Sequence, residues 1–191
     1  MPSNILRITE RVVGFIVLVI CILLIFQNKE LKKRLELGGI SGKSIYEPLE
    51  RGNNVPPADC FEIDGTRSTL KYTDGYEKYL LFVFSTQCPH CEQSLPVIKR
   101  IAGETVDNNV ELIGISMHDL HETQTWAMDR QVNFRVLSVA DSTFVRNYRI
   151  SGVPTIILID KRGVVENVWV GEVIGDRYQE IKNDLTNLHT F

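Results

Sequence analysis

The sequence lacks internal repeats, low-complexity tracts and any excess of positive charge over its larger part. Residues 52–191 carry 13 Lys and Arg side chains against 19 Asp and Glu, so nucleic-acid binding has no electrostatic support. A chain of 191 residues is short for two large domains. Its 43% apolar and 24% charged residues are typical of one globular domain with additional segments.

Cysteine is also scarce, with four residues in the chain, and two of them stand close together at positions 88 and 91. Cys21 lies within an apolar run, where we expect it to be inert. Cys60 lies beside a predicted strand, and such a cysteine is more often a small buried hydrophobe than a reactant. The chemistry is therefore expected at Cys88 and Cys91.

One apolar run, residues 12–26, contains no polar side chain over 15 residues. A helix of that length spans roughly 22 Å, and a hydrocarbon core of about 30 Å is reached by including apolar residues before it, with Arg7 and Arg11 extending to the headgroups. A cleaved signal peptide is the alternative, but no small-x-small cleavage pattern follows. We therefore predict an N-terminal transmembrane helix, with residues 1–37 as the membrane anchor and a helical extension.

The orientation of this anchor is judged from two opposed arguments. Lys29, Lys32, Lys33 and Arg34 outnumber the two arginines on the other side, which by the positive-inside rule favours a cytoplasmic domain. A tethered dithiol is more useful where protein disulfides form and persist, outside the cytoplasm. We expect the extracytoplasmic side on the chemical argument, since charge alone does not give it.

Beyond the anchor, residues 38–55 are rich in Gly, Ser, Asn and Pro and are predicted to be a linker, with a domain over 56–191. In that domain an early β-hairpin turns at Asp64-Gly65, and buried strands then alternate with amphipathic helices. The pattern predicts an α/β fold with a mixed central sheet flanked by helices. The predicted elements include strands over 79–85, 110–116 and 155–160 and a final helix over 173–188.

The motif Cys88-Pro89-His90-Cys91 follows a buried strand and begins a predicted helix. Unpaired N–H groups at a helix N-terminus stabilise the thiolate of Cys88, which becomes the candidate nucleophile with Cys91 as its resolving partner. A purely structural disulfide would close a very small loop and constrain the unfolded chain little. Pro89 and His90 are expected to modulate the site, because an imidazolium between the sulfurs favours the thiolate and hence the oxidising direction.

This strand and C-x-x-C motif, together with Gly152-Val153-Pro154-Thr155 before a β-hairpin, resembles the thioredoxin fold. The N-terminal hairpin, an additional βα insertion over residues 119–139 and the anchor are similar to the membrane-tethered TlpA/ResA-like thiol-disulfide oxidoreductases of bacteria. The resemblance covers residues 56–188.

That resemblance implies several properties. Pro154 should be cis and lie beside the sulfurs, and the backbone of Val153 should pair with an extended substrate peptide. The partners would be protein thiols or disulfides and a redox partner protein, with no cofactor and no metal. The location would be the bacterial cytoplasmic membrane, with a single-pass anchor and the redox domain on the extracytoplasmic side.

Three positions depart from the pattern of such relatives. Gln87 stands where many have Trp, Ser94 where many have Glu, and Phe82 where thioredoxin has a buried proton-transferring Asp. Without these acids the deprotonation of Cys91 needs water or another group. The family more often carries Glu-Pro between the cysteines and acts as a reductant, so Pro89-His90 leaves the direction of electron flow open.

Other functions remain as alternatives at this stage. A copper or zinc chaperone would use the two cysteines with His118 or His121, although the histidine spacing is shorter than usual. A thiol peroxidase would use the same fold, but its Pro-x-x-x-Thr-x-x-Cys pattern is missing. A maturation factor that serves one extracytoplasmic enzyme or cytochrome differs from a general exchanger only in its client.

Overall fold

The computed structural model describes residues 47–73, 75–105, 109–139 and 142–186. The elements in chain order are β1 (Ala58–Glu62), β2 (Arg67–Leu70), β3 (Lys78–Phe84), α1 (Pro89–Thr105), β4 (Val110–Ser116), α2 (Leu120–Asp129), β5 (Arg135–Ser138), α3 (Ser142–Asn147), β6 (Thr155–Asp160), β7 (Val165–Val170) and α4 (Asp176–Thr186).

The strands form one seven-stranded sheet in the order β2-β1-β5-β4-β3-β6-β7. Pairs β3/β4 and β4/β5 are parallel, whereas the other neighbours are antiparallel, which confirms the predicted mixed sheet. Strand β5, from the predicted βα insertion, lies between β4 and the N-terminal hairpin. Because β3 and β4 are parallel and in register from Lys78↔Val110 to Phe84↔Ser116, their carboxyl ends meet at one edge of the sheet.

Strand β3 occupies the centre of the core, and its residues alternate between the two faces of the sheet. Leu80, Phe82 and Phe84 pack with apolar residues of α1, α2 and α4. Tyr79, Leu81 and Val83 pack on the opposite face with α3 and with the first described residues of the chain. All six are fully buried, as the continuous apolar run of this strand predicts.

Two boundaries differ from those expected. Helix α4 begins at Asp176 rather than at residue 173, because Gly175 adopts a positive φ of 50° and therefore interrupts helical backbone. In the segment predicted as linker, Leu49 and Val55 are buried, and the Val55 N–H donates to the Gly163 carbonyl at 2.9 Å. The packed domain thus includes residues 49–55, upstream of the boundary expected at 56.

The predicted anchor, residues 1–37, lies outside the described residues, as does the linker up to residue 46. In the described ranges, from 47 to 186 with their three gaps, every helix is too short or too polar to cross a bilayer.

Candidate active site

The two cysteines of the motif lie where β3 ends and α1 begins. The Cys88 N–H donates to the Ser85 carbonyl at 3.2 Å, which closes the turn between strand and helix. The Cys88 carbonyl accepts from the N–H groups of Cys91 at 3.1 Å and Glu92 at 3.2 Å, as the first turn of a helix requires. Neither thiol is joined to another sulfur in this structure.

The two thiols lie in unequal environments. Cys88 is half-buried, whereas Cys91 is 1% exposed and packs into the core on the buried side of α1. Burial raises the pKa of the Cys91 thiol well above its ordinary value; a hydrogen bond from the Ser85 backbone N–H acts in the opposite direction, and the neighbouring Cys88 raises it further. An accessible sulfur in front of a shielded one is the arrangement that a nucleophile and a resolving thiol need.

Pro154 approaches this pair from the amino end of β6. Antiparallel pairing of β3 with β6 brings Val83 opposite Thr155, so the loop before β6 lies beside the loop after β3. The Val153–Pro154 peptide bond is cis, as the resemblance implies. The Cys88 thiol donates to the Val153 carbonyl at 3.7 Å, so Val153 contacts Cys88 Sγ directly.

His90 lies between the cysteines and is largely exposed, with its ring Nδ1 paired to the Glu172 carboxylate. The segment that carries Glu172 is tied back to α1 by Ser94. The Ser94 hydroxyl donates to the His90 carbonyl at 2.8 Å and accepts from the Val173 N–H at 2.9 Å. Ser94 therefore holds a structural position, and Glu172 supplies a negative charge beside His90 that the sequence did not indicate.

Two of the positions that depart from the pattern of relatives, Phe82 and Gln87, bring no charge to the site. Phe82 is fully buried and stacks on Phe84 with ring centroids 5.2 Å apart. Gln87 is exposed, and its side-chain amide donates to Glu122 at 3.1 Å. The side chain at each of these two positions is uncharged, so neither supplies a base for Cys91.

His118 and His121 do not join the cysteines in a metal site. The His118 ring bonds Ser85 at 2.8 Å through Nε2 and Glu122 at 3.0 Å through Nδ1. His121 is exposed and lines a separate cavity with Ile63 and with Gln124, Thr125 and Met128 of α2. Over the described ranges, no three His, Cys, Asp or Glu side chains are grouped in a way that could hold a metal ion. Among these residues the structure thus offers no support for the alternative of a metal chaperone that uses His118 or His121.

A cluster of polar residues that the sequence analysis missed lies behind the motif. Glu122, in the first turn of α2, accepts hydrogen bonds from the Thr86 hydroxyl and the Gln87 amide and contacts His118. Bonds to Thr86 first and to Gln87 next lower the pKa of Glu122, which is ionised at neutral pH. The i,i+4 spacing of His118 and Glu122 after a strand was the available signal for this contact.

A model of the AhpC/TSA family matches residues 52–168, more than half of the chain. The chain belongs to the AhpC/TSA family. Among curated relatives it is 26% identical over 120 residues to the thiol-disulfide oxidoreductase ResA of Halalkalibacterium halodurans, covering 62% of this chain and 68% of that one. It is 25% identical over 163 residues to ResA of Bacillus cereus, covering 80% and 92%.

Among solved structures, this AhpC/TSA member resembles the thioredoxin domain of a thiol-disulfide oxidoreductase from Bacteroides vulgatus. The TM-score is 0.60 at 18% identity, with 72% of this chain and 99% of that one covered. This likeness confirms the thioredoxin-like fold, with its mixed sheet and flanking helices. The family match and the ResA relatives agree with the TlpA/ResA-like resemblance that the motifs indicated.

Proposed function

We propose that the protein is an enzyme, a thiol-disulfide oxidoreductase that exchanges disulfides with protein substrates through Cys88 and Cys91. The observation that carries this proposal is the dithiol at the start of α1, with an accessible Cys88 against the Val153 carbonyl and a buried Cys91 behind it. The curated relatives named as thiol-disulfide oxidoreductases support the same reaction.

The exchange proceeds through two displacements at sulfur. The Cys88 thiolate attacks one sulfur of a substrate disulfide, forms a mixed disulfide and releases the other substrate sulfur as a thiolate. The Cys91 thiolate then attacks Cys88 Sγ and releases the second substrate thiolate, each leaving thiolate taking a proton from solvent. The substrate gains two electrons and the enzyme is left with a Cys88–Cys91 disulfide; the reverse sequence oxidises a substrate dithiol.

The peptide that carries the reacting cysteine is proposed to lie along Val153 and Pro154. Val153 contacts Cys88 through its carbonyl, and an extended peptide can hydrogen bond to backbone at this point like an added strand. Exposed apolar side chains on the same side of the domain, Val170 and Ile174, flank the segment that carries Glu172 and offer apolar contacts to such a peptide. Recognition through the peptide backbone depends little on the side chains of the substrate, which suits an enzyme that acts on proteins.

The direction of electron flow depends on opposed charges near Cys88. His90, when protonated, favours the thiolate and so the oxidising direction, whereas the Glu172 carboxylate beside it offsets that charge. We propose to decide between them by measuring the reduction potential of the Cys88/Cys91 couple. A potential of about −120 mV identifies an oxidant, and a potential of about −270 mV identifies a reductant.

The place of action is proposed to be the extracytoplasmic face of the bacterial cytoplasmic membrane, with residues 1–37 as a single-pass anchor. The apolar run over 12–26 and the oxidising character of that compartment support this location. Labelling of Cys88 in intact spheroplasts with a membrane-impermeant maleimide tests it. Labelling without lysis is expected, and labelling that requires lysis would place the domain in the cytoplasm.

Trapping of substrates tests the exchange itself. Cys91→Ser removes the resolving thiol, so mixed disulfides through Cys88 should accumulate and be released by dithiothreitol on a non-reducing gel. Cys88→Ser is the matched control and should trap nothing, and Cys60→Ser should leave trapping by the Cys91→Ser chain unchanged. If the Cys91→Ser chain is alkylated at Cys88 yet forms no mixed disulfide, the exchange mechanism is wrong.

A further inference from the structure

A cavity of about 310 Å³, which we call the side cavity, lies beside the candidate active site. Its walls are Ser85, residues 117–118 after β4 and residues 150–153 before Pro154. Val153 belongs both to this wall and to the active site, because its carbonyl accepts from the Cys88 thiol at 3.7 Å. A peptide that pairs with the Val153 backbone therefore lies within reach of the side cavity.

The volume of the side cavity suits a single side chain of such a peptide. Pockets that hold whole small molecules measure about 300–1,000 Å³, so the side cavity stands at the lower end of that range. An extended chain advances about 3.3 Å per residue, so a peptide along Val153 brings residues close to its reacting cysteine up to the cavity. The occupant is thus expected within two positions of that cysteine.

The apolar walls of the side cavity are formed before any substrate binds. Met117, Ile150 and Val153 pack against the core on this face of the sheet. The backbone is held as well, since the Ile150 N–H donates to the Val145 carbonyl at 2.9 Å and the Met117 N–H donates to the Phe84 carbonyl at 3.1 Å. The cavity therefore has a fixed shape that can distinguish one side chain from another.

The walls offer no charged group to a ligand. His118 is the one ionisable side chain among the described residues that line the side cavity, and both of its ring nitrogens are engaged. Nε2 bonds the Ser85 hydroxyl at 2.8 Å, and Nδ1 contacts Glu122 at 3.0 Å. A carboxylate or ammonium group in the cavity would lose water without gaining a partner, whereas an apolar side chain gains from contact with Met117 and Ile150.

We propose that the side cavity binds one apolar side chain of the substrate, within two residues of its reacting cysteine, and so sets the specificity of the exchange reaction. This inference rests on the proposed function and names the substrate class of the same site. The substrates are proteins whose reacting cysteine has an apolar neighbour, such as leucine or methionine, and a charged residue at the same position is disfavoured.

Loading of matched peptides on Cys88 measures this preference. The full chain with Cys91→Ser is reduced and mixed with short cysteine peptides, each activated as its mixed disulfide with thionitrobenzoate. The Cys88 thiolate attacks the peptide sulfur, forms the Cys88–peptide disulfide and releases coloured thionitrobenzoate, which reports the rate of loading. Each rate is divided by the rate of the same peptide with glutathione, so that differences in the reactivity of the peptides cancel.

The peptides carry leucine, asparagine or aspartate in turn at each position up to two residues before or after the cysteine. These three side chains are similar in size and differ in polarity and charge. At one of the positions the leucine peptide should load about five- to tenfold faster than the asparagine peptide, with aspartate no faster than asparagine. Equal normalised rates for leucine and asparagine at every position would overturn the proposal, as would a preference for aspartate.

Gly152 allows the side cavity to be narrowed without backbone strain. Its φ lies outside the left-handed region, and a Cβ added there meets no heavy atom within 4 Å. Gly152→Val places a branched side chain at the cavity wall, so the ratio of leucine to asparagine loading should fall to near one. Gly103→Val is the matched control, because Gly103 is equally open but lies in α1 outside the cavity, and it should keep the native ratio.

Met117→Ala tests the side cavity in the opposite direction. Loss of this side chain widens the cavity, so a peptide with phenylalanine at the preferred position should gain in loading relative to the leucine peptide. A leucine preference that survives Gly152→Val, or a ratio of phenylalanine to leucine loading that is unchanged in Met117→Ala, would show that the side chain binds elsewhere and would overturn the proposal.

The same assay separates failure of the specificity from failure of the proposed function. If the Cys91→Ser chain loads none of the peptides although Cys88 is alkylated by iodoacetamide, the exchange function itself is wrong. If every peptide loads at the same normalised rate, the exchange stands and the role of the side cavity is refuted.

Discussion

Ser94 offers the most direct test of the packing that holds the active-site helix. Its hydroxyl is fully buried, donates to the His90 carbonyl at 2.8 Å and accepts from the Val173 N–H at 2.9 Å. Val173 is itself fully buried, so no water can replace the lost acceptor in Ser94→Ala. The substitution should therefore destabilise the fold through an unsatisfied backbone N–H.

The expected loss follows from two opposed contributions. Leaving a buried donor without a partner costs about 1–3 kcal/mol. Alanine has a better helix propensity than serine and returns about 0.5 kcal/mol, since position 94 lies inside α1. The free energy of unfolding of Ser94→Ala should thus fall by about 0.5–2.5 kcal/mol, which for a domain of this size lowers Tm by roughly 1–10 °C.

Thr125 supplies a matched control for this measurement. Its hydroxyl donates to the His121 carbonyl at 3.0 Å, the same i−4 contact within a helix, but the side chain is exposed and the structure gives it no second partner like Val173. Urea denaturation of Thr125→Ala and Ser94→Ala, both reduced and both full-length, isolates the bond to Val173. Losses that agree within about 0.5 kcal/mol would refute the reasoning.

Three further outcomes are expected. Burial alone would raise the pKa of Asp160, but hydrogen bonds from Val164 and Arg162 hold this pKa below its ordinary value. The Asp160 carboxylate therefore stabilises the fold above about pH 4, and this stabilisation is lost as pH falls through the lower folded pKa. Asp160→Asn should therefore reduce stability to urea at pH 7 and have little effect near pH 2, and equal losses at both would contradict this. Trp126→Ala removes a buried ring from the core and should lower the free energy of unfolding by about 3–5 kcal/mol; a loss below about 1 kcal/mol would show that the site is not packed. His90→Gln should lower the reduction potential by about 10–20 mV in glutathione equilibration at pH 6. An increase in the potential would contradict the proposal that the exposed His90 imidazole favours the oxidising direction.

Much of the fold could be predicted because its signals are local. The strands at 110–116 and 155–160 are apolar runs bounded by polar or turn residues, and the structure reproduces their limits. The start of the last helix was wrong by three residues, since Val173 is apolar but gives its N–H to Ser94, a partner far away in sequence. Periodicity finds an apolar face but does not tell a helical residue from a buried residue just before the helix.

In the site, too, features with a local sequence signal were predicted and contacts between distant residues were not. Cys88, Cys91 and Pro154 belong to short motifs, and the expected cis bond before Pro154 was confirmed. The contacts of His118 and Glu122 with the loop before Cys88 depend on the register between β3 and β4, which no local pattern specifies. His118 was therefore noticed for its residue type, as a metal ligand, and its actual neighbours were missed.

The register of the central strands also explains why the loop before Cys88 is held by residues distant in sequence. Phe82 is part of an aromatic stack and Ser94 is committed to Val173, so neither position presents a charge to the two cysteines. The carboxylate beside the loop before Cys88 belongs instead to Glu122, in the helix after β4, which accepts from Thr86 and Gln87 and contacts His118. It follows that Glu122→Gln should loosen the loop before Cys88 more than any single change at Phe82 that preserves the stack.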